Sequence, residues 1–297
     1  MKSLKRVVLD TDTYNEVDDQ FALAHLLMAP EAVSLEAAYA APFFNHRSSS
    51  PADGMERSFQ EIHRIIDLVA PERQPDIFRG STRYLPTVNT PVESDAARDL
   101  VARAQATRDG EMLYVIAIAA ATNVASALLL APHIAEKITV VWLGGHGPDW
   151  PHTREFNLQQ DPYAARVLLD SGVPLVLLPC HPVASHLITT VAELECHLAP
   201  FSPLGQYLTD IVREYEGNPP AWSKIIWDII ASAWIINPEW VTIERRPAPI
   251  LKKNLTWENS PQRRLVRIAR EVNRDAIFGD FFARARLQAR HRDTLLV

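Results

Sequence analysis

The chain has 297 residues, 47% hydrophobic and 22% charged, which excludes disorder, a collagen-like rod and a small disulfide scaffold and suits one globular domain over 1–297. Its 30 basic residues stand against 36 acidic ones, and a net charge of −6 argues against a protein that lives by binding nucleic-acid phosphates. Only 10 glycines are present, with neither G-x-G-x-x-G nor G-x-x-x-x-G-K-[ST], so a conventional dinucleotide or nucleoside-triphosphate cradle is not expected.

In chain order, Arg6 to Leu9 reads as a buried strand and Asp18 to Met28 as a helix with Phe21, Leu23, Ala24, Leu27 and Met28 on its apolar side. Val33 to Ala40 is a second strand. A polar loop from Asn45 to Gly54 leads into an amphipathic helix, Met55 to Val69, and Ser94 caps another that runs to Thr107. Leu113 to Ala119, Ile138 to Leu143 and Pro174 to Leu178 are continuous apolar runs, the pattern of strands covered on both faces. Helices Asn123 to Leu130 and Tyr163 to Asp170 separate them. The stretch Leu113 to Ala131 is apolar, but Thr122, Asn123 and Ser126 interrupt it, so strand, turn and helix describe it better than a membrane span. Later come an apolar helix from Lys224 to Ile236, a strand from Trp240 to Glu244, a strand from Leu265 to Val272 and a helix from Asp275 to about Gln288. This alternation predicts an α/β fold with a doubly wound, mostly parallel open sheet, whose ligands sit outside the carboxyl ends of the strands.

Residues 261–297 hold nine Arg and four acidic residues, a local charge of +5 that leaves −11 on the preceding 260. An arginine-rich tail suggests nucleic acid, but no aromatic or glycine pattern accompanies the charge, and an amphipathic terminal helix covering a surface or an interface is the simpler reading. Cys180 and Cys196 lack a C-x-x-C partner and read as reduced thiols. The apolar run after the N-terminal lysines is too short for a signal-peptide core, which predicts a cytoplasmic protein with no membrane partner.

The strongest chemical signal is Asp10-Thr11-Asp12-Thr13-Tyr14-Asn15-Glu16-Val17-Asp18-Asp19, with five acids in ten residues between the first strand and the first helix. Two carboxylates ~5 Å apart repel by roughly 3 kcal/mol at an effective dielectric of ~20, so several of them in one crevice need a cation or a proton. Oxygen donors alone favour a hard ion, calcium or magnesium, over zinc.

This cluster resembles the N-terminal signature of the inosine-uridine-preferring nucleoside hydrolase family, an Asp-x-Asp followed by Asp-Asp. Ala120-Ala121-Thr122-Asn123 resembles that family's Pro-Leu-Thr-Asn turn, and Leu143-Gly144-Gly145 its Met-Gly-Gly. Glu155-Phe156-Asn157, Asp161-Pro162-Tyr163-Ala164-Ala165 and Trp227-Asp228 match further elements in the same order. The resemblance implies a calcium-dependent enzyme that hydrolyses the N-glycosidic bond of ribonucleosides or related N-ribosides, commonly as a homodimer or homotetramer. By position, Asp12, Asp19, Asp228 and the Thr122 carbonyl would bind calcium, and Asp12 would also deprotonate the attacking water. Asp10 would orient Asp12. Asp18, Glu155 and Asn157 would hold the ribose hydroxyls, Asn45 would be the asparagine after the second strand, and Trp227 would lie against the base.

The sequence departs from the family in two places. Five residues, Thr13 to Val17, separate the acid pairs where the family commonly has three with a Pro-Gly turn, so Asn15 or Glu16 is positioned to add contacts. Trp227 stands where many members carry the histidine that protonates the leaving base, and an indole is no titrating acid. Stacking on Trp227, with Trp150 or Trp222, is one substitute; a core role is the other reading of Trp227. His146 and His152 are candidate replacement acids or solvated loop histidines, whereas His181 and His186 read as capping or packing residues.

Two rival functions follow from the same residues. Leu9-Asp10-Thr11-Asp12-Thr13 also fits the opening of haloacid-dehalogenase-like phosphatases, with Gly279-Asp280 as a poor candidate for their downstream acids. A non-catalytic, calcium-dependent nucleoside- or ribose-binding protein is the other.

Overall fold

A computed structural model describes the backbone of residues 4–295 and the side chains of residues 4–289. In chain order the strands are β1 (Lys5–Thr11), β2 (Val33–Ala40), β3 (Asp76–Arg79), β4 (Leu113–Ile118), β5 (Ile138–Leu143), β6 (Leu175–Leu178), β7 (Ile188–Thr189), β8 (Lys224–Ile225), β9 (Val241–Pro247), β10 (Ile250–Leu251), β11 (Trp257–Glu258) and β12 (Leu265–Val272). The helices are α1 (Asp19–Leu27), α2 (Pro51–Val69), α3 (Asp95–Gln105), α4 (Thr122–Leu130), α5 (Phe156–Gln160), α6 (Pro162–Asp170), α7 (Val191–His197), α8 (Pro203–Tyr215), α9 (Ile229–Ile236) and α10 (Arg274–Leu295).

Eight strands form one sheet in the order β3-β2-β1-β4-β5-β6-β12-β9, parallel throughout except for the β12–β9 edge. The period-two alternation of each strand divides its side chains between two apolar layers. Val7 and Leu9 of β1 join α1, α2, α9 and α10 on one face, while Val8 joins α3, α4 and α6 on the other. β4 and β5 divide the same way, with Ile116 and Val141 on the first face and Val115 and Val140 on the second. Burial on both faces is the reason these strands read as unbroken apolar runs.

Strand order reverses at β1, which pairs with β2 on one side and β4 on the other. Crossovers leave in opposite directions there, so a crevice opens at the carboxyl end of β1. Among the described residues, no helix is long and apolar enough to cross a membrane.

The helix expected over Lys224 to Ile236 is shorter than its apolar pattern. Lys224–Ile225 pairs with Ile188–Thr189 as a two-stranded antiparallel ribbon, and the helix starts at Ile229. The Lys224 ammonium is held by Glu16, and the Trp227 N–H donates to Asp18 Oδ2 at 3.1 Å, so tertiary partners outweigh local helical pattern in residues 224–228. The loop expected over Asn45 to Gly54 is likewise shortened. Pro51 starts α2 and the Ser50 hydroxyl accepts the Asp53 N–H at 3.1 Å, a capped start that places residues 51–54 in the first turn.

β3, α7 and α8 add to the elements expected from the sequence. β3 is an edge strand with no fully buried residue, so it lacks an apolar run. α8 carries a legible start in Ser202-Pro203, whose hydroxyl accepts the Gly205 N–H at 3.0 Å.

Most of the described arginines of the basic tail are occupied within the chain. Arg263 meets Asp170, Arg270 meets Asp149, Arg274 meets Glu193, and Arg284 bridges Asp280 and Glu31. Asp280 also accepts from the buried His25, so it serves α10 packing. The side chains of Arg290 and Arg292 lie outside the described residues.

Candidate active site at the strand ends

β1 delivers Asp10 and Thr11 in register with Tyr39 and Ala40 of β2 and with Ala117 and Ile118 of β4. Asn123, in the first turn of α4, donates from Nδ2 to Asp10 Oδ1 at 2.8 Å, and its own Oδ1 accepts the N–H and hydroxyl of Ser81 at 2.7 and 2.8 Å. This asparagine positions Asp10 and was missed as a site residue, although it stands in the Ala-Ala-Thr-Asn turn. The Thr11 hydroxyl donates to Asp19 Oδ1 at 2.5 Å. Asn15 Nδ2 donates to Asp12 Oδ1 at 2.8 Å.

The long loop after Asp12 is anchored along its length. Asn45 Nδ2 donates to the Asn15 carbonyl at 3.1 Å, Arg47 Nη1 donates to the Glu16 carbonyl at 2.7 Å, and Val17 is buried in the core. Asn45 therefore ties two loops together and is not on the cavity wall.

Asp10, Asp12 and Asp19 are 0% exposed, and Asp18 and Asp228 barely more so. Burial is the main cause that pushes every one of these carboxyls upward: Asp10 to about 7, Asp18 to about 6, Asp19 to about 8, and Asp12 and Asp228 well above the usual carboxylate range. Asp19 raises Asp12 and Asp228 further by its charge, whereas the neighbouring ammonium of Lys224 draws Asp18 down.

Asp18, Asp19 and Asp228 each present an oxygen within 4.8 Å of the others, the one group with such spacing among the described residues. The Oδ2 atoms of Asp10, Asp12 and Asp19 are buried without a hydrogen-bond partner. Asp19 belongs to both sets, and a close group of buried carboxylates with an orphaned oxygen fits a hard cation, which would satisfy it and reverse the upward shifts. Thr122 opens α4, and its hydroxyl donates to Asp161 Oδ2 at 2.8 Å.

A cavity of about 320 Å³ opens over this cluster, with Asp18, Asp228, Glu155 and Asn157 among its walls. Glu155 caps α5: Oε1 accepts the Asn157 N–H at 2.9 Å, and Oε2 accepts the N–H groups of Gly145 and Leu158 at 2.7 and 3.1 Å. Gly145 reaches that position at φ +70°, in the left-handed region. Asn157 Nδ2 is anchored on the Leu143 carbonyl at 3.1 Å. Asn15, Glu16 and Cys180 reach the same cavity.

The remaining wall is aromatic. His146, His181 and Trp227 line it, and Trp150 stacks on His181 from outside at 5.0 Å with the rings 9° from parallel. His146 is 7% exposed and so is no solvated loop histidine. His181 is a cavity residue where a packing role was expected, because the chain after β6 turns back over the strand ends. His186 is exposed, His152 and Trp222 are off the wall, and Trp222 packs against the core.

Comparison with known proteins places these features in one lineage. Residues 7–279 match the family model for inosine-uridine preferring nucleoside hydrolases. A pyrimidine-specific ribonucleoside hydrolase of Salmonella paratyphi A is 23% identical over 248 residues, covering 72% of this chain and 79% of that one. Among solved structures, a purine-preferring ribonucleoside hydrolase from Gardnerella vaginalis superposes with a TM-score of 0.74 at 21% identity, covering 96% of this chain and 99% of that one. An inosine-uridine preferring nucleoside hydrolase from Bacillus anthracis gives 0.72 at 20% identity, covering 95% and 99%. The chain belongs to the inosine-uridine preferring nucleoside hydrolase family and is an N-glycosyl hydrolase.

Proposed function

We propose that this chain hydrolyses the N-glycosidic bond of ribonucleosides, or of related N-ribosides, to ribose and free base, with calcium held by Asp12, Asp19, Asp228 and the Thr122 carbonyl. The observation that carries this reading is the set of buried, unpartnered Oδ2 atoms of Asp10, Asp12 and Asp19 beneath a cavity of about 320 Å³. When bound, the ion supplies Lewis acidity toward water and an anchor for vicinal hydroxyls. Asp12 accepts the proton of the attacking water, and Asp10, pinned by Asn123, orients Asp12. Asp18, Glu155 and Asn157, which line the cavity, hold the ribose hydroxyls. Positive charge builds on the sugar ring as the C1′–N bond breaks, and the surrounding carboxylates stabilise it. Trp227 offers its ring to the departing base.

The test is ribose release from a purine and pyrimidine nucleoside panel and from p-nitrophenyl riboside, before and after chelation and after calcium return. Turnover lost to chelator and restored by calcium is the expected result. Tight, calcium-dependent ribose binding without turnover of any riboside would favour the binding protein over the enzyme. The same reading makes the chain one domain, assembled as a homodimer or homotetramer in the cytoplasm, with a small-molecule substrate and no nucleic-acid or membrane partner. Sedimentation of the purified protein measures the assembly.

A further inference from the structure

We infer that His181 is the acid that protonates the departing base, an assignment that rests on the hydrolase reading above. A base nitrogen leaving C1′ takes the bonding electron pair with it and needs a proton at that moment. Trp227, beside the ligand Asp228, has no proton to give. The cavity holds the carboxylates assigned above to the ribose together with His146, His181 and Trp227, which leaves these rings to receive the base and to supply the donor.

Three histidines stand near that wall, and their hydrogen bonds separate them. His146 Nδ1 accepts the His181 backbone N–H at 3.3 Å, so one of its ring nitrogens is already occupied. His152 Nδ1 accepts the Arg154 N–H at 3.3 Å, and its ring is not on the cavity wall. His181 lines the cavity, and among the described residues neither of its ring nitrogens has a hydrogen-bond partner. Its plane is fixed instead by rings. Trp150 stacks on it at 5.0 Å, His146 lies at 5.1 Å, and Trp227 meets it edge-on at 5.4 Å. A ring held by stacking, with both nitrogens free, is oriented without its proton being spent.

The protons balance within the active site. Water gives its oxygen to C1′ and a proton to Asp12, the C1′–N pair moves onto the base, and the His181 imidazolium gives its N–H proton to the base. Solvent then restores both residues. The groups that face His181 are His146 and His152 on the loop after β5, and the cavity also holds Glu16, Asp18, Arg154, Glu155 and Asp228. Burial and the neighbouring His152 lower the His181 pKa below its ordinary value, so the acid form is lost as pH rises through a point under about 6.5.

The test compares calcium-loaded wild type with His181→Phe, which keeps a stacking ring, and with His181→Asn as a second variant. Exposed His186→Ala serves as the control. Expected is a loss of about 10²-fold or more in kcat/KM for inosine or uridine, within the range of a general acid. Activity on p-nitrophenyl riboside, whose leaving group needs little protonation, should stay within about threefold, and the alkaline limb of the nucleoside pH profile should vanish. Equal losses on both substrates, or no loss on nucleosides, would overturn the assignment. So would a selective nucleoside defect in His146→Ala or His152→Ala with His181→Phe unaffected. If wild type cleaves neither substrate, the hydrolase reading fails and the assignment with it. Where wild type cleaves both, the hydrolase reading stands and the variants test His181 alone.

Discussion

Replacing Asp228 with Asn should stabilise the metal-free protein while weakening its hold on the cation. The oxygens of Asp18, Asp19 and Asp228 lie within 4.8 Å of one another. Two unit charges at that separation repel by about 3 kcal/mol at an effective dielectric of about 20, so three ionised carboxylates would cost on the order of 10 kcal/mol. Protons relieve this strain, at about 1.4 kcal/mol for each pH unit above an unfolded pKa of about 3.9. Burial first, and Asp19 next, hold the Asp228 carboxyl well above its usual range. Keeping that proton above the unfolded pKa therefore costs stability that grows with pH until the raised pKa is reached. The sign follows from the upward shift: the contribution of Asp228 is whole below pH ~4 and is lost as pH rises through its raised pKa. Asparagine needs no proton and places no charge beside Asp18 and Asp19, whose charges raise Asp228. Urea unfolding in chelator should show Asp228→Asn more stable by about 3 kcal/mol at pH 8, the size of one such repulsion, with the gap closing toward pH 4. Added calcium should reverse the order, because wild type gains stability by mass action and the variant gains less. A variant less stable than wild type at pH 8 in chelator, or a gap unchanged between pH 5 and pH 8, would refute the reasoning.

Three further substitutions probe how the cluster is held. A Cβ at Gly80 would lie 2.1 Å from the Ala40 carbonyl oxygen and 2.3 Å from Asn123 Nδ2, so Gly80→Ala should lose about 2–3 kcal/mol in urea unfolding. Asn123→Ala removes the donor to Asp10 and the acceptor for Ser81; about 3 kcal/mol of stability and most of kcat should go with it. Because both changes act on the same amide, the double variant should lose clearly less than the sum of the two, which a double-mutant cycle reads directly. In Glu155→Gln an NH₂ group replaces one of two oxygens that accept three backbone N–H groups, so donor faces donor. A loss of about 2 kcal/mol is expected, and with it weaker binding of ribose by calorimetry. Wild-type stability in that variant would mean the cap is unimportant.

The alternation of apolar runs with helical pattern, and the run of acids after β1, were legible because they are local facts. A strand buried on both faces must be apolar throughout, and carboxylates crowded at its end call for a cation whatever surrounds them. Family resemblance followed from the order of short motifs, Asp10 to Asp19 through Trp227-Asp228. Tertiary structure decided what local pattern leaves open. Residues 224–228 look helical, yet Glu16 and Asp18 hold Lys224 and Trp227 outside the helix, as a short strand and a turn. Asn123 is one amide among many until the β1–β4 switch point brings Asp10 and Ser81 onto it across gaps of 113 and 42 residues. His146, His152 and His181 are alike in sequence. Which of them keeps both ring nitrogens free depends on the backbone groups that meet each ring after folding: Arg154, two residues on, meets His152, but His181 comes to His146 from 35 residues away.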